Sequence, residues 1–236
     1  MHYTGTGDTL MSNQSEHPHK NTTALGDSHI FPTLERFNSF SDGVFSIAIT
    51  LLVLELPVPA MDVAIWPALQ EASHDFLGYL ISFAFIGGIW LTHAGLTKVM
   101  RRGDSISYGM NLLLLLFVGL LPFSTSLMVT HLDAADVGTG VLLYGINVLL
   151  ASLTLSLLLV YIAREPGLAV DGIADEQLRR MYRQRWIVIT MNVIAIIFAY
   201  FAPRVAVGLY LVMTGFLLAL PLLGGLRRRR QRTAAI

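Results

Sequence analysis

The stretch Arg36-Phe37-Asn38-Ser39-Phe40-Ser41-Asp42-Gly43-Val44-Phe45-Ser46-Ile47-Ala48-Ile49-Thr50-Leu51-Leu52-Val53-Leu54-Glu55 starts charged and hydroxylated, then turns apolar. Pro57-Val58-Pro59 ends it. A hydrocarbon core about 30 Å thick needs about 20 apolar helical residues. The segment from Phe40 to Leu56 has that character and reads as a membrane span with an aspartate near its start.

Five further segments read the same way: 76–96, 106–129 with Pro122 inside it, 138–162, 186–201 and 205–226. The composition agrees, because 54% of the 236 residues are hydrophobic and only 14% are charged. A soluble chain of this size needs more charge to cover its surface, whereas lipid solvates apolar side chains. The expected fold is an all-α integral membrane protein with six transmembrane helices.

Positive charge orients the spans. Arg36 precedes the first span, Lys98, Arg101 and Arg102 follow the second, and Arg164, Arg179, Arg180, Arg183 and Arg185 follow the fourth. Arg227 to Arg230 and Arg232 follow the sixth, and the opposite side receives only Arg204. Both termini are therefore expected in the cytosol. Arg227 to Arg230 reads as a topology anchor that also meets anionic lipid. The expected organisation is a disordered cytosolic tail over 1–32, a membrane domain over 33–226 and a basic tail over 227–236. His2, His17, His19 and His29 are too irregularly spaced to suggest a metal site. At the far ends of the spans, Glu55, Asp62, Glu71, Asp75, Asp133 and Asp136 form either ordinary loops or an acidic vestibule.

Several classes of chemistry are excluded or unsupported. With no cysteine, there are no disulfides, thiolate metal sites or thiol nucleophiles. A formal net charge of zero gives no global pull toward nucleic acid. No intramembrane His-Glu-x-x-His, Ser-Lys or paired-aspartate pattern suggests an enzyme, and no cofactor is expected.

The first span divides into two faces. At 100° per residue, Gly43, Ile47, Thr50, Leu51 and Leu54 share a stripe with Ser46 beside it, while Ser41 and Asp42 point elsewhere. The stripe suits a close helix-packing face as well as a pore lining. An acid inside a membrane helix is costly, so Asp42, read as a buried acid, is expected to have either a partner or water. Trp90 and His93, at i and i+3 on the second span, and Asn111 on the third supply polar groups. Ser41, Asp42, Trp90 and His93 are expected to form one hydrogen-bonded cluster. In it His93 is either a structural histidine or a proton-sensitive one.

Arg36-x-x-x-Phe40-Ser41-Asp42 with the apolar run through Glu55 resembles the first-helix signature of the prokaryotic transmembrane protein 175 family, relatives of the endosomal and lysosomal potassium channel. Ile89-Trp90-Leu91-Thr92-His93, and Asn111 to Leu115 continuing to Leu121-Pro122-Phe123, add to the likeness. The resemblance implies a homotetramer in a bacterial-type cell membrane, with four first helices around a pore that passes K+. It implies a constriction at Ile47, Leu51 and Leu54 and a selectivity role for Thr50. Arg36, Ser41, Asp42, Trp90 and His93 would hold the helix in position. No Thr-Val-Gly-Tyr-Gly filter occurs in the chain, and Ala94 departs from a second polar residue after the histidine. A proton leak through the same pore is compatible with this reading. The alternative is a proton-coupled secondary cation transporter, although the internal repeats and broken paired helices of such proteins are not visible.

Because the chain lacks cysteine, single introduced cysteines report sidedness. Asp62→Cys is expected to react with an impermeant maleimide in intact cells, and Lys98→Cys only after permeabilisation. The reverse pattern would invert the topology.

Overall fold

The structure is a computed structural model that describes residues 33–132, 136–170 and 175–233, excluding the side chains of 175–178, 180, 218 and 220–233. The expected tail 1–32, Asp133, the Arg180 side chain and residues 234–236 lie outside the described residues. Eight helices follow in order: α1 (Leu34–Leu54), α2 (Ile65–Glu71), α3 (Ser73–Thr97), α4 (Ser105–Gly119), α5 (Leu121–Thr130), α6 (Val137–Arg164), α7 (Asp175–Phe201) and α8 (Pro203–Thr233).

Local chemistry explains the helix boundaries. Thr33 caps α1 by accepting from the Arg36 N–H, and the helix stops short of Pro57 and Pro59. At α4, Asp104 Oδ1 accepts from the Ser107 N–H while Ser107 Oγ accepts from the Asp104 N–H, each at 2.9 Å. This reciprocal cap satisfies two orphan donors. Pro122 lacks an N–H and crowds the carbonyl four residues back, so one apolar stretch is broken into α4 and α5. At the start of α5 the Leu121 carbonyl accepts from the hydroxyls of Ser124 (3.1 Å) and Thr125 (2.7 Å). The short α2 was not foreseen, since seven residues carry too little periodicity to read.

Among the described residues, five helical stretches are long and apolar enough to cross a membrane: Leu34–Leu54, Ser73–Thr97, Ser105–Thr130, Val137–Arg164 and Met181–Phe201. The expected sixth span falls on α8, where the described apolar stretch, Pro203–Leu217, is shorter. The α8 backbone stays helical to Thr233, through the arginine run that reads as a tail in sequence. Arginine is a good helix former, which allows this continuation.

The helices pack around α6, which meets α4, α5, α7 and α8. The first helix lies against α3, α4 and α5, and α8 lies against α3 and α7. Tyr144, Tyr210, Phe45 and Phe85 are the bulkiest fully buried side chains. At the Lys98 end of the bundle the α3–α4 turn is tied to the loop after α6. Arg101 N–H donates to the Leu168 carbonyl (2.7 Å) and Val170 N–H to the Val99 carbonyl (2.9 Å), around an antiparallel bridge between Met100 and Ala169. Gly167, at φ 80°, makes the turn that brings this loop in. The Tyr161 hydroxyl donates to the other oxygen of Asp104.

Burial works against the charge on Asp104, but the hydrogen bonds from Tyr161 and Ser107 outweigh it and hold the carboxyl below its ordinary value. A depressed value means that the ionised carboxylate stabilises the fold above the ordinary range near ~3.9, and that this is lost as pH falls through the lower folded value. Asp104→Ala is expected to cost about 1 kcal/mol, read as a lower Tm that is constant from neutral to mildly acidic pH. The gap to wild type should narrow only below about pH 4.

Candidate permeation surface on the first helix

Two stripes of opposite character run along α1. Phe37, Ser41, Phe45, Ala48 and Leu52 are buried. Their spacing of three or four residues keeps them on one side of the helix. On the other side Ile47 is 60% exposed, Leu51 42% and Leu54 75%, and Gly43, Ser46 and Thr50 are exposed with them. A Cβ built on Gly43 would meet nothing within 4 Å.

The buried side is fixed by a chain of three polar groups. Ser41 Oγ donates to the Phe37 carbonyl (2.9 Å), so its lone pairs accept from Asn111 Nδ2 (2.9 Å). That contact sets the amide so that Asn111 Oδ1 faces His93 Nε2 at 2.8 Å. An amide oxygen only accepts, so Nε2 carries the proton. The imidazole ring lies between Phe37 (centroids 6.1 Å apart, stacked) and Phe45 (5.5 Å). All three polar residues are at most 1% exposed. This is the geometry of a partnered interior histidine.

Asp42 is not part of that chain. It is exposed and accepts from Trp90 Nε1 at 2.8 Å, with Trp90 itself 40% exposed. The expectations of a buried aspartate and of one shared cluster are therefore corrected. Successive residues on a helix point 100° apart, so seating Ser41 on the buried stripe swings Asp42 off it. Arg36 is exposed and outside both groups. Asn111, which the sequence offers as a nearby polar group and not as a member of the cluster, joins Ser41 to His93. Its signal is a single amide at the head of an otherwise aliphatic run.

Thr50 turns its hydroxyl back onto its own helix, as Thr92 and Thr154 do on theirs. Its hydroxyl donates to the Ser46 carbonyl (3.0 Å) and the Ile47 carbonyl (2.9 Å). With the proton turned back onto the helix, the oxygen lone pairs are left for the exposed side. Beyond the other end of α1, Glu71 and Asp75 share a pocket with Pro57 and Pro59. Among the described residues, no group of three or more His, Cys, Asp and Glu could hold a metal ion.

Removing Asn111 strands the His93 Nε2–H in the interior, at about 1–3 kcal/mol, and takes one donor from Ser41, which keeps its bond to the Phe37 carbonyl. Asn111→Ala is therefore expected to lower Tm well beyond Trp90→Phe, which breaks only the exposed bond to Asp42. Equal losses in a thermal melt would contradict the separation of the two groups.

A family model described as "Endosomal/lysosomal potassium channel TMEM175" matches residues 36–122. A potassium channel from Chryseobacterium sp. (strain P1-3) is 31% identical over 179 residues, 75% of this chain and 88% of that protein. The endosomal/lysosomal proton channel TMEM175 of Bos taurus is 39% identical over 108 residues, 42% of this chain but 22% of that longer protein. The crystal structure of a lysosomal potassium-selective channel TMEM175 homolog from Chamaesiphon minutus matches with a TM-score of 0.69 at 26% identity, covering 79% of this chain and 96% of that one. The matched stretch takes in Ser41, Asp42, Trp90, His93 and Asn111. The resemblance read from the sequence is borne out: this multi-pass membrane protein belongs to the TMEM175 family.

Proposed function

We propose that the chain is a potassium-permeable cation channel in which four copies place their α1 helices around a central pore. The observation that carries this reading is the bare stripe of α1, a line of large aliphatic side chains interrupted by hydroxyls and left open by the rest of the chain. Lipid alone would account for exposed Ile and Leu. It gives no reason for Ser46 and Thr50 among them. Family membership and relatives named as potassium or proton channels support the same reading.

In this arrangement each chain crosses the membrane six times, with α8 as the sixth span and both termini in the cytosol of a bacterial-type cell membrane. Ile47 forms the main constriction, where four side chains exclude water and the pore gates by dewetting. Thr50, about one turn further along, offers four hydroxyl oxygens in place of part of the hydration shell of K+. Leu51 and Leu54 line the pore beyond it. Asp42 ends on the cytosolic side, held by Trp90, while Ser41, Asn111 and His93 set the rotation of α1. Glu71 and Asp75 concentrate cations at the outer end.

Purified protein in planar bilayers tests this. Currents are expected under K+ and Na+ gradients without a coupling ion. Ile47→Asn is expected to raise the current at fixed voltage by about tenfold, because hydrating the constriction removes the dewetting barrier. Thr50→Ala is expected to lower the K+ over Na+ preference with little change in total current. Fixed stoichiometric coupling to protons in vesicle flux would replace the channel with the transporter. Currents indifferent to Ile47 would move the constriction elsewhere.

A further inference from the structure

Polar groups also collect inside the subunit, away from α1. Among the described residues five buried side-chain atoms lack a hydrogen-bond partner, and four of the five belong to Ser152, Asn192 and Tyr210: Ser152 Oγ, Asn192 Nδ2, Asn192 Oδ1 and Tyr210 Oη. These residues lie on α6, α7 and α8. Ser152, Asn192 and Tyr210 are each 0% exposed, so neither lipid nor another subunit reaches them.

Neighbouring contacts place the three along one seam. Helices α6 and α7 run antiparallel. Arg185 Nη2 donates to the Ser152 carbonyl (2.8 Å) and Nε to Ser156 Oγ (3.2 Å). Nearer the other end of the seam, a Cβ built on Gly145 would collide with the Tyr210 hydroxyl and with Ile196 Cγ1. Tyr210 thus rests its hydroxyl in the notch of a glycine. Asn192 stands between those two levels, four residues before Ile196 and seven after Arg185 on α7. Gly145 and Ser152 are two turns apart, about 10 Å. A hydroxyl, a whole amide and a phenol thus lie within a short stretch of the same interface.

Unpaired amides and hydroxyls at membrane depth are costly, and no bulk water is present to relieve them. A ligand that meets them must be small, neutral, and able both to donate and to accept. A cation is disfavoured by the Arg185 guanidinium at one end of the seam. We infer that the α6–α7–α8 seam is an internal hydration site, in which ordered water bridges Ser152, Asn192 and Tyr210 and completes the packing of α8 against α6. Such waters typically make about three hydrogen bonds to buried polar groups. The site is separate from the α1 surface and does not depend on what permeates there.

X-ray radiolytic footprinting of the full-length protein in detergent tests this, because a bound water generates hydroxyl radicals beside buried side chains. Tyr210 and Met213, one turn apart on α8 and at most 1% exposed, are expected to label several-fold faster than Met128, which is equally buried. Rates equal to that of Met128 would overturn the site. Asn192→Leu, close in size but without polar atoms, is expected to slow Tyr210 labelling at least about threefold while exposed Trp186 is unchanged. Unchanged Tyr210 labelling in that variant would overturn the sharing of water with Asn192. If the variant does not fold, the wild-type rates decide alone. Raising K+ is expected to leave Tyr210 labelling constant, and suppression by K+ would assign the seam to a cation instead.

Discussion

Ser41 Oγ donates its proton to the carbonyl of Phe37 and can then only accept from Asn111, and this leaves α1 one rotation about its axis. The Asn111 amide cannot turn over without breaking that contact, and its orientation in turn sets the proton on His93. Turning the helix by one residue would move Ser41 about 100° away and strand an amide and an imidazole in the interior. At membrane depth no solvent is available to meet them. The direction faced by Ile47, Thr50, Leu51 and Leu54 is thus decided about two to four turns away, by groups on the opposite side of the helix.

The contrast between α1 and α7 shows why exposure alone is a poor guide to role. Both bury 28% of their apolar window, against 50% for α6. The bare side of α7 carries Trp186, Val193, Ile197 and Tyr200. That is an aliphatic band with an aromatic residue near each end, the pattern of a helix resting in lipid between two interfaces. The bare side of α1 instead mixes aliphatic side chains with Gly43, Ser46 and Thr50 and begins at a carboxylate. Both surfaces lack neighbours within the chain, and their chemistry separates them.

Much of this was legible in the residues. Apolar runs of sufficient length place α3, α6 and the α4–α5 pair within a few positions, because lipid imposes that length directly, while α1, α7 and α8 extend beyond their apolar runs into polar sequence. The two faces of α1 follow from the 3.6-residue repeat alone. The pairing of Asp42 with Trp90 was within reach of the sequence, and the separation of that pair from Ser41 and His93 was not. Ser41 and Asp42 adjoin in sequence and invite a shared environment, but the helix sends them to different sides. Asn111 acquires its role only when α4 is laid against α1 and α3, a tertiary fact with no local signature. The orphaned groups on α6, α7 and α8 lie far apart in the chain and become a cluster only on packing. Pro122 was visible as an interruption, and its chemistry accounts for the break into α4 and α5.

The tie between the α3–α4 turn and the loop after α6 bears on how the chain is assembled. Asp104 and Tyr161 are 57 positions apart, and the backbone bridge from Met100 reaches further still, to Ala169. On a ribosome adding about 5–20 residues per second, α3 and α4 wait several seconds before these partners emerge. During that interval the turn relies on local bonds such as the Asp104–Ser107 cap. The bridge is thus a late closure, a clasp that locks the first half of the bundle to the second after α6 has been inserted.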